Sequence, residues 1–213
     1  MSDYTYLEFD AQPDPSHRGL YLARVLDALR ELPRGAAVLD AGCGGGDFSV
    51  GLAEAGYAVS GCDLSPSGVA AAGERGIGTF VEASLYEPLA PPFGRDSFAA
   101  VVCIEVIEHL YSPRTFAKRA FEALAPGGLL IVTTPYWGYA KNVVLALTNR
   151  IDRSLTALWE GGHIKHFSRD TLTRLMEAEG FETIGFAGCG EGWRARAPYL
   201  WSGMLMIFRR PAG

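Results

Sequence analysis

The sequence predicts an α/β protein, a doubly wound, seven-stranded, mostly parallel sheet with helices on both faces. Short β-branched apolar runs alternate with helical patterns from Ala36 to Thr133. A glycine-rich turn, Gly42-Cys43-Gly44-Gly45-Gly46, joins the first of these runs to the helix that follows it. Beyond a break in the alternation, Phe181–Phe186 and Trp201–Phe208 read as two further strands, a hairpin-like pair at one sheet edge.

Within His17–Leu32 the residues Leu22, Val25, Leu26, Leu29 and Leu32 recur at helical spacing, and Pro33, Arg34 and Gly35 stop the helix. Ala36–Asp40 is a buried strand, and a helix from Phe48 to Ala55 ends at Gly56. Tyr57–Cys62 is the second strand, with Asp63 at its end. Ser65-Pro66 opens a helix with proline at its favoured first position. Gly78–Glu82 and Phe98–Ile104 are the third and fourth strands. Ser112-Pro113 opens a helix reaching Leu124, and Pro126-Gly127-Gly128 turns into the fifth strand, Leu129–Thr133. Tyr136–Gly162 is a mostly helical insert that the alternation does not require, and a helix over Ser168–Glu179 stops at Gly180. With no repeat or low-complexity linker, residues 1–213 form one domain. The N-terminal helical segment 1–33 and the insert 136–162 are expected to cap the carboxyl-terminal edge of the sheet, to close on substrate and to set acceptor choice.

The 213 residues are 48% hydrophobic and 20% charged, enough for a core without disulfide or metal staples. A formal net charge of -5 without a basic stripe argues against a protein that tracks a nucleic-acid backbone, although a short RNA end stays open as a substrate. No apolar run is long enough to span a bilayer. The acidic start, MSDYTYLEFDAQPD, has no apolar stretch of the secretory kind, so a cytoplasmic location is expected, with no membrane partner. Cys43, Cys62, Cys103 and Cys189 are widely spaced without a C-x-x-C pair, and reduced thiols are expected.

Gly42, Gly44 and Gly46, between a strand and a helix, let the backbone turn sharply and let a ligand reach main-chain N–H groups. The dinucleotide fingerprint G-x-G-x-x-G needs a third glycine where Asp47 stands. Asp47 and Asp40 are poor neighbours for a pyrophosphate but suit a ligand carrying an amino group and a sulfonium. Asp63, twenty-one residues after Gly42, can accept both ribose hydroxyl protons. The alternative is a bare tight turn with Asp63 as a helix cap.

The fourth strand runs into Glu105-Val106-Ile107-Glu108-His109. On a helical turn Glu105, Glu108 and His109 would share one face. Carboxylates with an imidazole suit Mg²⁺ or Mn²⁺. A second pair, His163 and His166, lies in a loop that can fold back over the end of this strand. Without a metal, His109 would serve as a general base. Trp137, Tyr139, Trp159, Trp193, Tyr199 and Trp201, with Tyr4, Tyr6 and Phe9, either stack on a sugar or aromatic ring or pack the core, and His17 is expected at the surface.

V-L-D-A-G-C-G-G-G resembles motif I of the class I S-adenosylmethionine-dependent methyltransferases, and G-C-D-L-S-P resembles their acidic second motif. F-A-A-V-V-C-I-E-V-I-E-H-L and L-A-P-G-G-L-L-I-V-T-T-P are similar to the fourth motif and the segment after it, so the resemblance covers Ala36 to Phe186. It implies a Rossmann-like fold and S-adenosylmethionine as cofactor. Gly42 and Gly44 would lie against its methionine part with Asp40 close by, Asp63 on the ribose and Leu64 on the adenine. Ser84 and Leu85 stand where many members hold the adenine amino group with an Asp, and Ile104 completes the cofactor set.

E-x-x-E-H with a later His resembles two subfamilies: ubiquinone-biosynthesis O-methyltransferases, which act on catechol-like phenols, and small-RNA 2′-O-methyltransferases, which hold a metal with two Glu and two His. In the latter the second His precedes an Arg by six positions, as His163 precedes Arg169, so His163 matches better than His166. The pattern implies a metal on Glu105, Glu108, His109 and His163, with Glu105, His109 and His163 as the catalytic set. The extra RNA-binding surface of the RNA enzymes has no counterpart. The resemblance therefore implies O-methylation of a small molecule with vicinal oxygens, a sugar diol or a catechol-like phenol. Metal-free general-base catalysis and methylation of an RNA end are the alternatives, and homodimerisation stays open.

Overall fold

The computed structural model describes residues 15–93, 97–155, 157–158 and 161–213. In chain order the elements are α1 (Pro15–Leu29), β1 (Ala37–Ala41), α2 (Asp47–Glu54), β2 (Ala58–Asp63), α3 (Pro66–Glu74), β3 (Gly78–Glu82), β4 (Phe98–Ile104), α4 (Pro113–Ala123), β5 (Leu124–Pro135), α5 (Tyr139–Leu147), α6 (Arg169–Glu177), β6 (Glu182–Cys189) and β7 (Gly203–Arg209). They build one seven-stranded sheet of order β3-β2-β1-β4-β5-β7-β6. The first five strands pair in parallel, and β7 enters antiparallel between β5 and β6.

Alternate strand residues feed two cores, because successive side chains leave a strand on opposite faces. Val38, Ala100, Val102, Ile131 and Leu205 pack with Tyr21, Val25 and Leu29 of α1 and with Phe48 and Leu52 of α2. Leu39, Val101, Cys103, Val132, Met204 and Met206 pack on the other face with Phe116 and Ala120 of α4 and Leu172 and Met176 of α6. Helix starts follow their chemistry: Ser65 caps α3 by accepting from the Gly68 N–H, and Ser168 caps α6 in a reciprocal box with Thr171.

The helix within segment 1–33 forms a core layer of the sheet. Tyr21, Val25 and Leu29 lie four residues apart, are fully buried, and place α1 flat on the sheet. Residues 1–14 of that segment, with Tyr4, Tyr6 and Phe9, fall outside the described residues, as do Trp159 in the insert and the side chain of His17. The fifth strand is longer than predicted. Pro126-Gly127-Gly128 is absorbed as an irregularity between the Phe98↔Leu124 and Ala100↔Leu129 pairs. Main-chain bonds from Gly127 N to Arg210 O and from Arg210 N to Gly128 O hold it.

The insert leaves the carboxyl end of β5 as expected, and α5 buries none of its side chains. It is anchored at its start, where Lys141 Nζ donates to the carbonyls of Tyr136 (2.8 Å) and Ser202 (3.4 Å). The four cysteines are buried free thiols. Among the described residues no helix is long and apolar enough to cross a membrane.

Candidate active site

The loop after β1 is a cradle of main-chain atoms. Gly42 has φ 84°, and a Cβ there would come within 2.6 Å of Val106 Cγ2, so the turn after β4 lies directly on it. Gly44 also has positive φ, but the space beside it is open, with nothing within 4 Å of where a Cβ would stand. A ligand can reach the chain there. Gly44 N donates to Asp63 Oδ2 (2.8 Å) and Ser65 N donates to Asp63 Oδ1 (2.9 Å), which fixes the carboxylate at the end of β2. Asp40 lies beneath the loop, where Ser49 Oγ donates to it (2.6 Å). Burial pushes its carboxyl up to about 6, against the Ser49 bond.

The other cofactor candidates divide. Leu64 is exposed beside Asp63 and available to a flat ring, whereas Leu85 belongs to the α4–α6 core. Ser84 Oγ accepts from Tyr86 N, and Ile104 packs toward the α1–α2 core.

The segment after β4 is not the helical turn the spacing suggested. Glu105 has φ 53°, Val106 departs from helical geometry, and only Ile107–His109 form a 3-10 turn. The two glutamates consequently have different neighbours. Glu105 N donates to the main-chain oxygen (3.3 Å) and to Oγ1 (3.0 Å) of Thr133, and the Glu105 carboxylate hydrogen-bonds the Thr133 side chain and the Tyr21 hydroxyl of α1. Glu108 lies beside the next residue, Thr134. Thr133 pairs with Leu205 of the α1–α2 core and Thr134 with Met204 of the α4–α6 core.

A metal-capable group therefore forms from three of the four expected residues. Ligand atoms of Glu108, His109 and His163 lie within 4.8 Å of one another, and Glu105 is not among them. The later loop does fold back as expected, since Ile164 N and Lys165 N both donate to Glu108 O (3.0 and 2.9 Å). His163 Nε2 is 3.9 Å from Glu108 Oε1, and the two imidazoles meet edge to face at 4.9 Å. His109 Nδ1 is 2.8 Å from Gly161 O. A carbonyl only accepts, so Nδ1 carries a hydrogen, and in the neutral ring the lone pair is on Nε2. His166 stays out of the group and packs at a tilt against Trp137.

Both Glu108 oxygens and Glu105 Oε1 are buried without a hydrogen-bond partner. Burial, reinforced by the charge of Glu105, pushes the Glu108 carboxyl up to about 9. Burial also pushes Glu105 up to about 7, opposed by Tyr21, Thr133 and Lys141. A group of this kind binds a cation or stays protonated.

Of the aromatic residues, Tyr136, Phe186 and Trp201 pack on one another, while Tyr139, Trp193 and Tyr199 are exposed. Tyr21 escaped the sequence reading. The signal available was a hydroxyl-bearing ring on the apolar stripe of a helix, which has to find a partner once buried.

The comparisons with known proteins agree with this geometry. A model of the methyltransferase domain family matches residues 16–184. The chain is 38% identical over 106 residues to the ubiquinone biosynthesis O-methyltransferase of Xanthomonas axonopodis pv. citri (strain 306), across 48% of this chain and 44% of that protein. With the enzyme of the same description from Idiomarina loihiensis it is 36% identical over 162 residues, 72% of this chain and 65% of that one. The matched stretch thus spans about half to two thirds of these relatives' own length. The crystal structure of an S-adenosylmethionine dependent methyltransferase from Mesorhizobium loti superposes with a TM-score of 0.67 at 22% identity, over 91% of this chain and all of that one, and shows the common fold. The glycine cradle, the acid at the end of β2 and a family match over most of the chain together establish that the chain belongs to the methyltransferase domain family, with the class I S-adenosylmethionine-dependent fold.

Proposed function

We propose that this protein is an S-adenosylmethionine-dependent O-methyltransferase that methylates one hydroxyl of a small molecule with vicinal oxygens, assisted by Mg²⁺ or Mn²⁺. The observation that carries the reading is the convergence of Glu108, His109 and His163, with the Glu108 carboxylate fully buried. That donor set, one carboxylate and two imidazoles, fits a divalent cation. An ion there would supply Lewis acidity and a template for adjacent substrate oxygens. The cofactor supplies an electrophilic methyl group on sulfur. The chain's own residues do the positioning: Asp63 receives the ribose hydroxyls, and the open side of Gly44 admits the methionine part.

Supporting a catechol-like phenol over a sugar diol are exposed apolar side chains in the segments that follow β4 and β5, Tyr111, Tyr139 and Leu147 among them. A phenol, with a pKa of about 10, also needs only modest activation. The relatives named for ubiquinone biosynthesis O-methylation point the same way. The net charge of -5 favours a small acceptor over a nucleic acid, and a cytoplasmic location suits such an acceptor.

One observation favours a second reading. Because Nδ1 of His109 is held by Gly161 O, Nε2 is placed to take the hydroxyl proton without a metal. Assays of chelator-treated protein with labelled S-adenosylmethionine against catechols and sugar diols separate the two. Methylation of catechols that returns with Mg²⁺ or Mn²⁺ is expected. Full turnover in excess chelator, lost in His109→Ala, would replace the metal with the general base.

A further inference from the structure

Glu105 and Tyr21 stand apart from the metal group, and the fold commits several residues to holding them. Glu105 adopts a left-handed backbone at the last turn of β4, a conformation that bulky residues keep only when their surroundings enforce it. Thr133 takes its N–H with both of its oxygens. Tyr21, buried in α1, donates its hydroxyl to the carboxylate. Glycine at 203 makes room for that hydroxyl, since a Cβ there would overlap it. After all this, Glu105 Oε1 remains buried without a donor. Lys141 adds an attractive charge to the carboxylate. A carboxylate oxygen kept in that state is matched by a cationic N–H donor.

The order of the strands says which donor. β2, β1 and β4 are consecutive neighbours, with Asp63, Gly42 and Glu105 following one another at their carboxyl ends. Adjacent strands lie about 5 Å apart. A cofactor whose ribose sits at Asp63 and whose amino-acid arm crosses the glycine loop ends over β4. The residue after Glu105, Val106, already touches the space beside Gly42. We infer that Glu105 Oε1 receives the α-ammonium of the cofactor, and that Tyr21 is the positioning residue that turns Glu105 toward it. The inference rests on the reading that this chain binds S-adenosylmethionine, and it gives Glu105 a role separate from metal binding.

The test compares two ligands by calorimetry. S-adenosylhomocysteine carries the ammonium, and 5′-methylthioadenosine keeps the adenine, ribose and sulfur but lacks the amino-acid arm. Glu105→Gln, which preserves shape and removes charge, is expected to weaken S-adenosylhomocysteine about 10- to 100-fold while leaving methylthioadenosine within about twofold. Tyr21→Phe, which keeps the ring in the core, is expected to show the same selectivity at about 5-fold. Equal weakening of both ligands would mean that the pair only supports the fold, and unchanged S-adenosylhomocysteine binding would remove the ammonium contact; either overturns the inference. A selective loss in Glu105→Gln with none in Tyr21→Phe overturns the positioning role of Tyr21. Native protein that binds neither ligand would instead overturn the cofactor reading itself.

Discussion

The loop after β1 and the turn after β4 both crown parallel strands of one sheet, yet they are made of different things. Gly42–Gly46 presents main-chain atoms, and its acidic neighbour, Asp63, has each oxygen satisfied within the protein. The turn 105–109 presents side chains, and three of its carboxylate oxygens have no donor. Its partners come from α1 and from the loop around His163. The first region is finished in the free protein, as suits a ligand bound in one pose. The second carries an electrostatic cost that only a ligand, an ion or a proton removes.

The largest expected effect sharpens the first half of this contrast. Asp63→Ala would remove the two charge-assisted ribose bonds proposed for it, each worth about 1.5–3 kcal/mol, so S-adenosylmethionine affinity should fall by about 100-fold or more in a calorimetric titration. Affinity close to native would place the ribose elsewhere. Gly42→Ala comes next. Its φ of 84° and the 2.6 Å approach to Val106 should cost about 1–3 kcal/mol and lower Tm by several degrees, measurable by scanning calorimetry.

The acidic turn should instead show itself through pH. Burial holds the folded Glu108 and Glu105 carboxyls above the ordinary value of 4.5. As pH rises above 4.5 the folded protein therefore keeps protons that the unfolded chain releases, and the stability of the metal-free protein falls. Glu108→Gln should flatten the slope and raise Tm at pH 8. Mn²⁺ should raise the Tm of the native protein at pH 8 and leave that of the variant unmoved. A native slope already flat without metal would show that the carboxylates are satisfied in the free protein. The smallest effect belongs to α5: replacing Tyr139 and Leu147, which are 86% and 83% exposed, by serine should change stability by less than about 0.5 kcal/mol each. The same pair should raise KM for the acceptor, and an unchanged KM would remove α5 from the acceptor site.

The contrast also explains what could be read from sequence. Ala36–Gly46 is contiguous, so its strand, turn and helix start appear in one string, and the acid after β2 follows at a fixed distance. The later strands were legible in position but not in extent, because Arg210 holds Gly127 and Gly128 in line with β5 from eighty residues away. Helical spacing puts residues 105, 108 and 109 on one face, but a φ of 53° at the first of them takes it out of helical geometry. The N-terminal helix was read correctly as amphipathic, but its stripe does not say whether it covers a substrate or a sheet. His163 was distinguished from His166 only through a family spacing, since nothing local separates two histidines three residues apart.

The antiparallel entry of β7 between β5 and β6 has a consequence for how the chain is made. β5 pairs with β7 from Leu129↔Arg209 to Pro135↔Gly203, and β6 meets the rest of the sheet only through β7. During synthesis, α4, β5 and α6 leave the ribosome while the outer edge of β5 still shows a row of unpaired N–H and C=O groups. That edge is apolar on both sides and open to another nascent copy until residues 203–209 arrive. Closing it requires contacts across up to eighty residues, a long-range pairing of the kind that slows folding.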